Sequence, residues 1–184
     1  MGRVIVTAIA ALALFASCGE QKKTDGIIIA QNYEIPKPTA PKSLTPASKR
    51  QQVEWNGGRT YYVDITGMSV DSLPMVSNEY GQKYKDNTIR LEVSRSDSTV
   101  FFKRTFRKAD FGRFLKSDYR DKAILAGMNF LGADESKLLF LAWVNYPEAG
   151  DDEAIEVRVA VDMQGNVSMQ PFSYDDREDV KESQ

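Results

Sequence analysis

Strict two-residue alternation constrains the fold of this chain more than any other feature. Tyr61, Val63 and Ile65 alternate with Tyr62, Asp64 and Thr66. Ile89, Leu91 and Val93 alternate with Arg90, Glu92 and Ser94, and Ile155, Val157, Val159 and Val161 with Glu156, Arg158 and Asp162. Successive side chains of a strand point to opposite faces, so this pattern, rich in β-branched residues, predicts strands with one buried and one wet face. Leu138 to Val144 is apolar at every position, which predicts a central strand covered on both sides. Short polar connections at Ser96-Asp97-Ser98, Glu148 to Asp152 and Gln164-Gly165-Asn166 fit antiparallel hairpins.

The period changes between Ala109 and Leu125. Phe111, Phe114 and Leu115 fall at i, i+3 and i+4, and Asp110 stands where a helix start needs an acceptor for orphan amides. A second helical turn is expected from Asp118 to Leu125, and Met128 to Leu131 is expected to resume as a strand. The expected fold is mainly β, of α+β type: an antiparallel sheet, sandwich or half-barrel of six to eight strands with one short helical insertion.

The N-terminus carries a different signal. Arg3 is followed by an apolar run from Val4 to Phe15, interrupted by Thr7, and then by Ala16-Ser17-Cys18. A charged start, an apolar core and small residues before a cysteine make a lipoprotein signal peptide over residues 1–17. The run is shorter than the roughly 20 residues of a membrane-spanning helix. Cys18, the only cysteine, is then the lipidation site, carrying acyl chains such as palmitate. Each buried CH₂ contributes about 0.8 kcal/mol to anchoring, and two or more chains make it stable. No cysteine is left for a disulfide.

Residues 18–52 read as a tether. Pro36, Pro38, Pro41 and Pro46 lie among Lys, Thr, Ser and Ala, a composition that favours an extended spacer of about 3.1 Å per residue. Ile27-Ile28-Ile29 is the exception and is expected to dock as a short strand. A β-rich domain follows over residues 53–173, with an acidic tail over 174–184. Gly19-Glu20-Gln21-Lys22-Lys23 lacks the aspartate that would retain a lipoprotein in the inner membrane. The expectation is an outer-membrane anchor facing the periplasm in preference to the cell surface.

The charge is unevenly placed. Lys83 to Lys122 holds 12 basic and 6 acidic residues, net +6, while Asp134 to Gln184 holds 13 acidic and 4 basic, net −9. The two stretches are expected to lie side by side and neutralise one another, and no nucleic-acid partner is expected in the envelope.

The sequence contains no histidine, which removes Ser-His-Asp and Cys-His catalysis and the ordinary zinc sites. Paired carboxylates would allow a hydrolase, but Asp110, Asp118 and Asp121 sit around helix starts and Asp134, Glu135 and Asp151-Asp152-Glu153 in loops. Asp162 with Asn166 lacks the regular spacing of a calcium loop and reads as a polar turn. No catalytic, cofactor-binding or metal-ligating residue is therefore assigned. A partner surface is placed instead at Tyr84, Tyr146, Lys103 and Arg107. The last two belong to the basic run 103–108, which suits an anionic surface. The rings of Tyr61, Tyr62, Tyr80, Tyr84 and Tyr146 would suit a glycan if they shared one exposed face.

Asp86-Asn87-Thr88-Ile89-Arg90-Leu91, Val100-Phe101-Phe102-Lys103, Ala109-Asp110-Phe111, Ala123-Ile124-Leu125, Phe140-Leu141-Ala142, Tyr146-Pro147 and Val161 to Asn166 together resemble a family of small Bacteroidetes lipoproteins of unknown function. The likeness covers roughly Trp55 to Met169 and implies a β-rich periplasmic or surface domain. It implies no activity, cofactor or catalytic residue. The functional expectation is a lipid-anchored, non-enzymatic envelope domain for a protein or glycan partner. The alternatives are a small-molecule or lipid carrier with an apolar cavity and, behind it, a carboxylate hydrolase.

Cys18→Ala is expected to move the protein from the membrane fraction to the soluble fraction, and the wild-type N-terminal peptide to show acyl mass. A wild-type peptide with an unmodified thiol at Cys18, together with unchanged fractionation of the variant, would refute the anchor.

Overall fold

The computed structural model describes residues 37–172. The expected signal peptide, Cys18, the Ile27-Ile28-Ile29 strand and the acidic tail lie outside the described residues.

The elements run β1 (Ala47–Trp55), β2 (Arg59–Ser69), β3 (Val76–Ser77), β4 (Lys83–Tyr84), β5 (Asn87–Arg95), β6 (Val100–Arg107), a 3₁₀ helix (Lys108–Phe114), α1 (Ser117–Lys122), β7 (Ile124–Ala133), β8 (Lys137–Asn145), a second 3₁₀ turn (Asp151–Glu153), β9 (Ile155–Asp162) and β10 (Val167–Pro171). Two four-stranded antiparallel sheets result, ordered β1-β2-β5-β6 and β10-β9-β8-β7, with a small β3-β4 ribbon. Each sheet is a meander built from one half of the chain, and the helical segment joins them. The first meander is interrupted between β2 and β5 by the ribbon. The fold is a sandwich, mainly β, as the alternation predicts.

The alternating residues face inward as expected. Val63, Leu91, Val93, Phe106, Phe140, Val144, Val159 and Val161 are buried in one core shared by both sheets, with Phe111 and Leu115 of the helical segment closing it. Burying each such side chain stabilises the fold by about 1.5–3 kcal/mol. The β9–β10 turn works through Asp162, whose carboxylate accepts the amides of Gln164 and Asn166 and the side-chain amide of Asn166. Gly165 follows at φ +81, a conformation that a side chain would strain.

Four expectations are corrected. The domain does not begin at residue 53, because β1 starts at Ala47 and pairs with β2 from Ala47↔Gly67 onward. Thr39 and Ala40 are also held, through the side-chain amide of Gln82. The proline-rich composition predicts a spacer, but hydrogen bonds to β2 and the ribbon order its described part.

Ile124 and Leu125 belong to a strand, not a helical turn. The β7–β8 register shifts between Leu125 and Gly127 and again between Phe130 and Gly132. Each bulge inserts a residue, so Leu125 and Met128 both face the core although three positions apart. A strand with bulges thus imitates helical spacing.

β8 is central in its sheet but is not covered on both faces. Leu138, Phe140, Ala142 and Val144 are buried, whereas Leu139, Leu141 and Trp143 are half-buried. The outer face is shielded within its own sheet: Trp143 lies over Gly127, where an added Cβ would meet the indole at 2.0 Å. Glu156 and Arg158 stand in register beside Trp143 and Leu141, so their aliphatic stems cover part of the same face.

Among the described residues the basic and acidic stretches do not pair with one another: the basic stretch forms its ion pairs with Asp71, Asp86, Glu92 and Asp110, all close by in sequence.

Two consecutive polar residues connect the sheets. Asp86 accepts the Leu125 N–H through Oδ1 at 3.0 Å, and Asn87 donates Nδ2 to the Leu125 carbonyl at 2.9 Å. Asn87 Oδ1 accepts the Ser69 hydroxyl at 2.6 Å, and that hydroxyl oxygen accepts the Leu44 N–H. Asn87 is completely buried, so truncating it leaves the Leu125 carbonyl without its partner in an apolar setting. Asn87→Ala is expected to destabilise the domain by about 2–3 kcal/mol, while Arg90→Ala on the exposed face of the same strand should change it by less than about 0.5 kcal/mol. Equal shifts in urea midpoints for the two variants would contradict this assignment.

Candidate functional site

A cleft of about 800 Å³ opens between the segment leading into β3 and the helical joint of the sandwich. Its size falls in the range of small-molecule sites. One wall is apolar, formed by Leu73, Pro74, Met75 and Val76, with Leu115. Met75 is an exposed large hydrophobe, whereas Val76 is buried. Pro74 has no N–H to offer a ladder and keeps this stretch out of the sheets.

The other wall is cationic. Arg107 ends β6, and Lys108, Arg113 and Arg120 follow in the helical segment; Asp86 and Asp121 are the carboxylates of the lining. Four bases against two acids give a net charge of +2. These side chains are held in different ways. Lys108 forms a buried ion pair with Asp86 at 3.3 Å and donates to the Ala123 carbonyl, so both charges belong to the floor. Arg113 donates Nη2 to the Met169 carbonyl and stacks on Phe114, its guanidinium 4.5 Å from the ring centre. Arg120 donates Nε to the carbonyls of Gly112 and Leu115. Arg107, Arg113 and Arg120 are all exposed.

The helical segment takes this shape for local reasons. Asp110 accepts the Arg107 N–H at 2.8 Å and the Arg104 guanidinium at 3.0 Å, the capping role its position predicts. The 3₁₀ helix turns Phe111 into the core against Phe106, with ring centres 6.1 Å apart. Its polar side thereby faces the cleft.

The four residues of the expected partner surface do not form one surface. Arg107 is on the cleft rim. Lys103 is on the outer face of the first sheet, paired with Glu92 at 2.9 Å; this hydrogen bond holds the Glu92 carboxyl below its usual range. Tyr84 is buried, and its hydroxyl donates to Glu148 Oε2 at 2.7 Å. Tyr146 stacks on Tyr119 with ring centres 4.5 Å apart. Tyr84 and Tyr146 share a corner through the 146–148 segment, but as packing residues. Nor do the tyrosines make a glycan platform: Tyr61 is buried beside Trp55 and Phe101, Tyr62 lies under Arg50, and Tyr80 alone of the five is exposed.

The Tyr84 corner fastens the N-terminal end of the domain. Lys42 exchanges backbone hydrogen bonds with Lys83 and Lys85, both at 2.9 Å, and its ammonium pairs with Glu148 while lying 5.6 Å from the centre of the Tyr84 ring. The hydrogen bond from Lys42, followed by that from Tyr84, lowers the Glu148 pKa. The same contact with Glu148 raises that of Lys42, and burial raises that of Tyr84.

Arg113, Arg120, Met75 and Lys42 were not singled out by sequence. The available signal was weak: an apolar run around Pro74 between two strands, and arginines spaced through a short helical segment.

A family model described as a domain of unknown function (DUF4738) matches residues 28–169. The chain belongs to this family. The match spans the whole sandwich up to Met169 in β10, and therefore includes the cleft and the Tyr84 corner. No curated protein matches the chain. The family description names no ligand, so any role for the cleft must come from its chemistry.

The Lys42–Glu148 contact carries a pH dependence with a definite sign. A carboxylate with a lowered folded pKa stabilises the fold above its unfolded value, 4.5, and that contribution is lost as the pH falls through the folded pKa. The raised Lys42 pKa keeps its contribution intact below 10.5. Hydrogen exchange at the Lys42 and Lys85 amides, relative to their intrinsic rates, is expected to speed up below pH 4.5 and to lose most of that response in Glu148→Gln. A Glu148→Gln protein with the wild-type pH profile would show that other groups control this corner.

Proposed function

We propose that this is a lipid-anchored cell-envelope protein, held through acyl chains on Cys18 at the periplasmic face of the outer membrane, whose folded domain is a non-catalytic binding module. The N-terminal signal pattern supports the anchor. Among the described residues no helix is long and apolar enough to cross a membrane.

The observation that carries the binding reading is the cleft, with an apolar wall facing a rim of exposed arginines. Concave, mostly apolar sites with a few convergent polar groups are where proteins take ligands. The hydrolase reading finds little support there. Asp86 holds Lys108 and accepts the amides of Asn87 and Leu125, so its carboxylate is committed to the fold. A carrier would use the same cleft, but its charged rim and open mouth suit a ligand whose polar end stays at the surface.

A photoreactive residue in place of Met75 at the cleft lip is expected to capture a ligand or partner in intact cells. One in place of Val100, equally exposed in the β5–β6 hairpin and outside the cleft lining, should not. Equal labelling from the two positions, or none from Met75, would defeat the binding reading.

A further inference from the structure

We infer that the cleft binds an anionic single-chain amphiphile, with a carboxylate or phosphate head; this rests on the binding reading above and names its ligand class. Three observations lead there. The first is the division of the walls. Leu73, Pro74 and Met75 offer apolar surface on one side, while Arg107, Arg113 and Arg120 stand on the other. A ligand that satisfies both must carry an apolar body and an anionic end.

The second is that two of the arginines are already ordered. Arg113 and Arg120 each have a nitrogen fixed by backbone carbonyls, which leaves further N–H donors on the same planar group. An anion arriving at such a fork immobilises little that is not already fixed, and guanidinium–carboxylate pairing is among the stronger hydrogen bonds.

The third concerns the charge of the head. Asp121 stands at the rim and Asp86 in the floor. Lys108 compensates Asp86 directly, and Arg107, Arg113 and Arg120 outnumber Asp121, so the cleft keeps a net charge of +2 for an anionic head. Guanidinium forks take a carboxylate or a phosphate alike. An acidic peptide would satisfy the arginines and leave the Leu73–Met75 wall unused.

Calorimetric titration of the full chain distinguishes these ligands. Decanoate, below its micelle concentration, is expected to bind saturably with one site per chain. Decanol, which lacks the charge, should bind roughly tenfold more weakly or worse, since a charge-assisted hydrogen bond is worth about that much. Acetate, which lacks the body and so the burial of its CH₂ groups, should bind at least as poorly. Decyl phosphate, with the larger charge, is expected to bind at least as tightly as decanoate. Arg107→Gln combined with Arg120→Gln should weaken decanoate roughly tenfold with the near-ultraviolet circular dichroism unchanged. Met75→Asp should do the same through the other wall, and Lys103→Gln should leave affinity as it was.

Decanol binding as tightly as decanoate would overturn the inference, as would an unaltered affinity in both cleft variants. Should decanoate and decyl phosphate both fail while Met75 captures a peptide or glycan in cells, the ligand class is wrong and the binding reading stands. If the capture fails as well, both are wrong.

Discussion

The backbone of Leu125 is held at both its N–H and its carbonyl by two neighbouring side chains at the start of β5 in the opposite sheet, and much of the structure follows from that grip. Asp86 takes its N–H and Asn87 its carbonyl. The pair therefore places the first residues of β7, and with them the start of the second meander, against the strand that leads the middle of the first. Hydrophobic burial drives the two sheets together without specifying their relative position, because apolar contact is non-directional. Buried hydrogen bonds do specify position, since misplacing them leaves polar groups unsatisfied.

The same residues determine where a ligand could sit. Asp86 is shared between the Leu125 amide and the Lys108 ammonium, so the sheet connection and the cleft floor are one network. The 3₁₀ helix begins at Lys108 and carries Arg113, while α1 carries Arg120. A change at the sheet joint would thus move the cationic wall. The lock of Lys42, Tyr84 and Glu148 performs a comparable task at another corner. It fastens the N-terminal end of the domain to the ribbon and to the loop after β8.

Parts of the sequence that resemble the family find structural explanations here. Asp86-Asn87 and Ala123-Ile124-Leu125 are the two sides of the sheet connection, Asp110 caps the 3₁₀ helix, and Asp162 to Asn166 is a turn closed by its own aspartate. None of these segments requires a catalytic explanation. The arginines of the cleft, by contrast, are exposed, and Arg113 and Arg120 are held by only one and two carbonyl contacts.

Sequence alone determined what local periodicity determines. The two-residue alternation decided β2, β5 and β9 and their inward faces, polar turns the antiparallel hairpins, and Asp110 marked the start of the helical segment. The helical turn expected from Asp118 to Leu125 is α1 up to Lys122, but its last two residues, Ile124 and Leu125, open the bulged strand β7. Local reasoning also read Tyr84 as a surface residue, because a tyrosine beside lysines in a polar stretch looks solvated until Glu148, 64 positions away, arrives to accept its hydroxyl. Tertiary structure decided the rest: the ordering of residues 37–52, the pairing of basic residues with nearby carboxylates, and the meeting of an apolar loop with three arginines in one cleft. Alternation reports which face of a strand is apolar. It carries no information about which distant loop will complete a site, because that depends on how two sheets are placed in three dimensions.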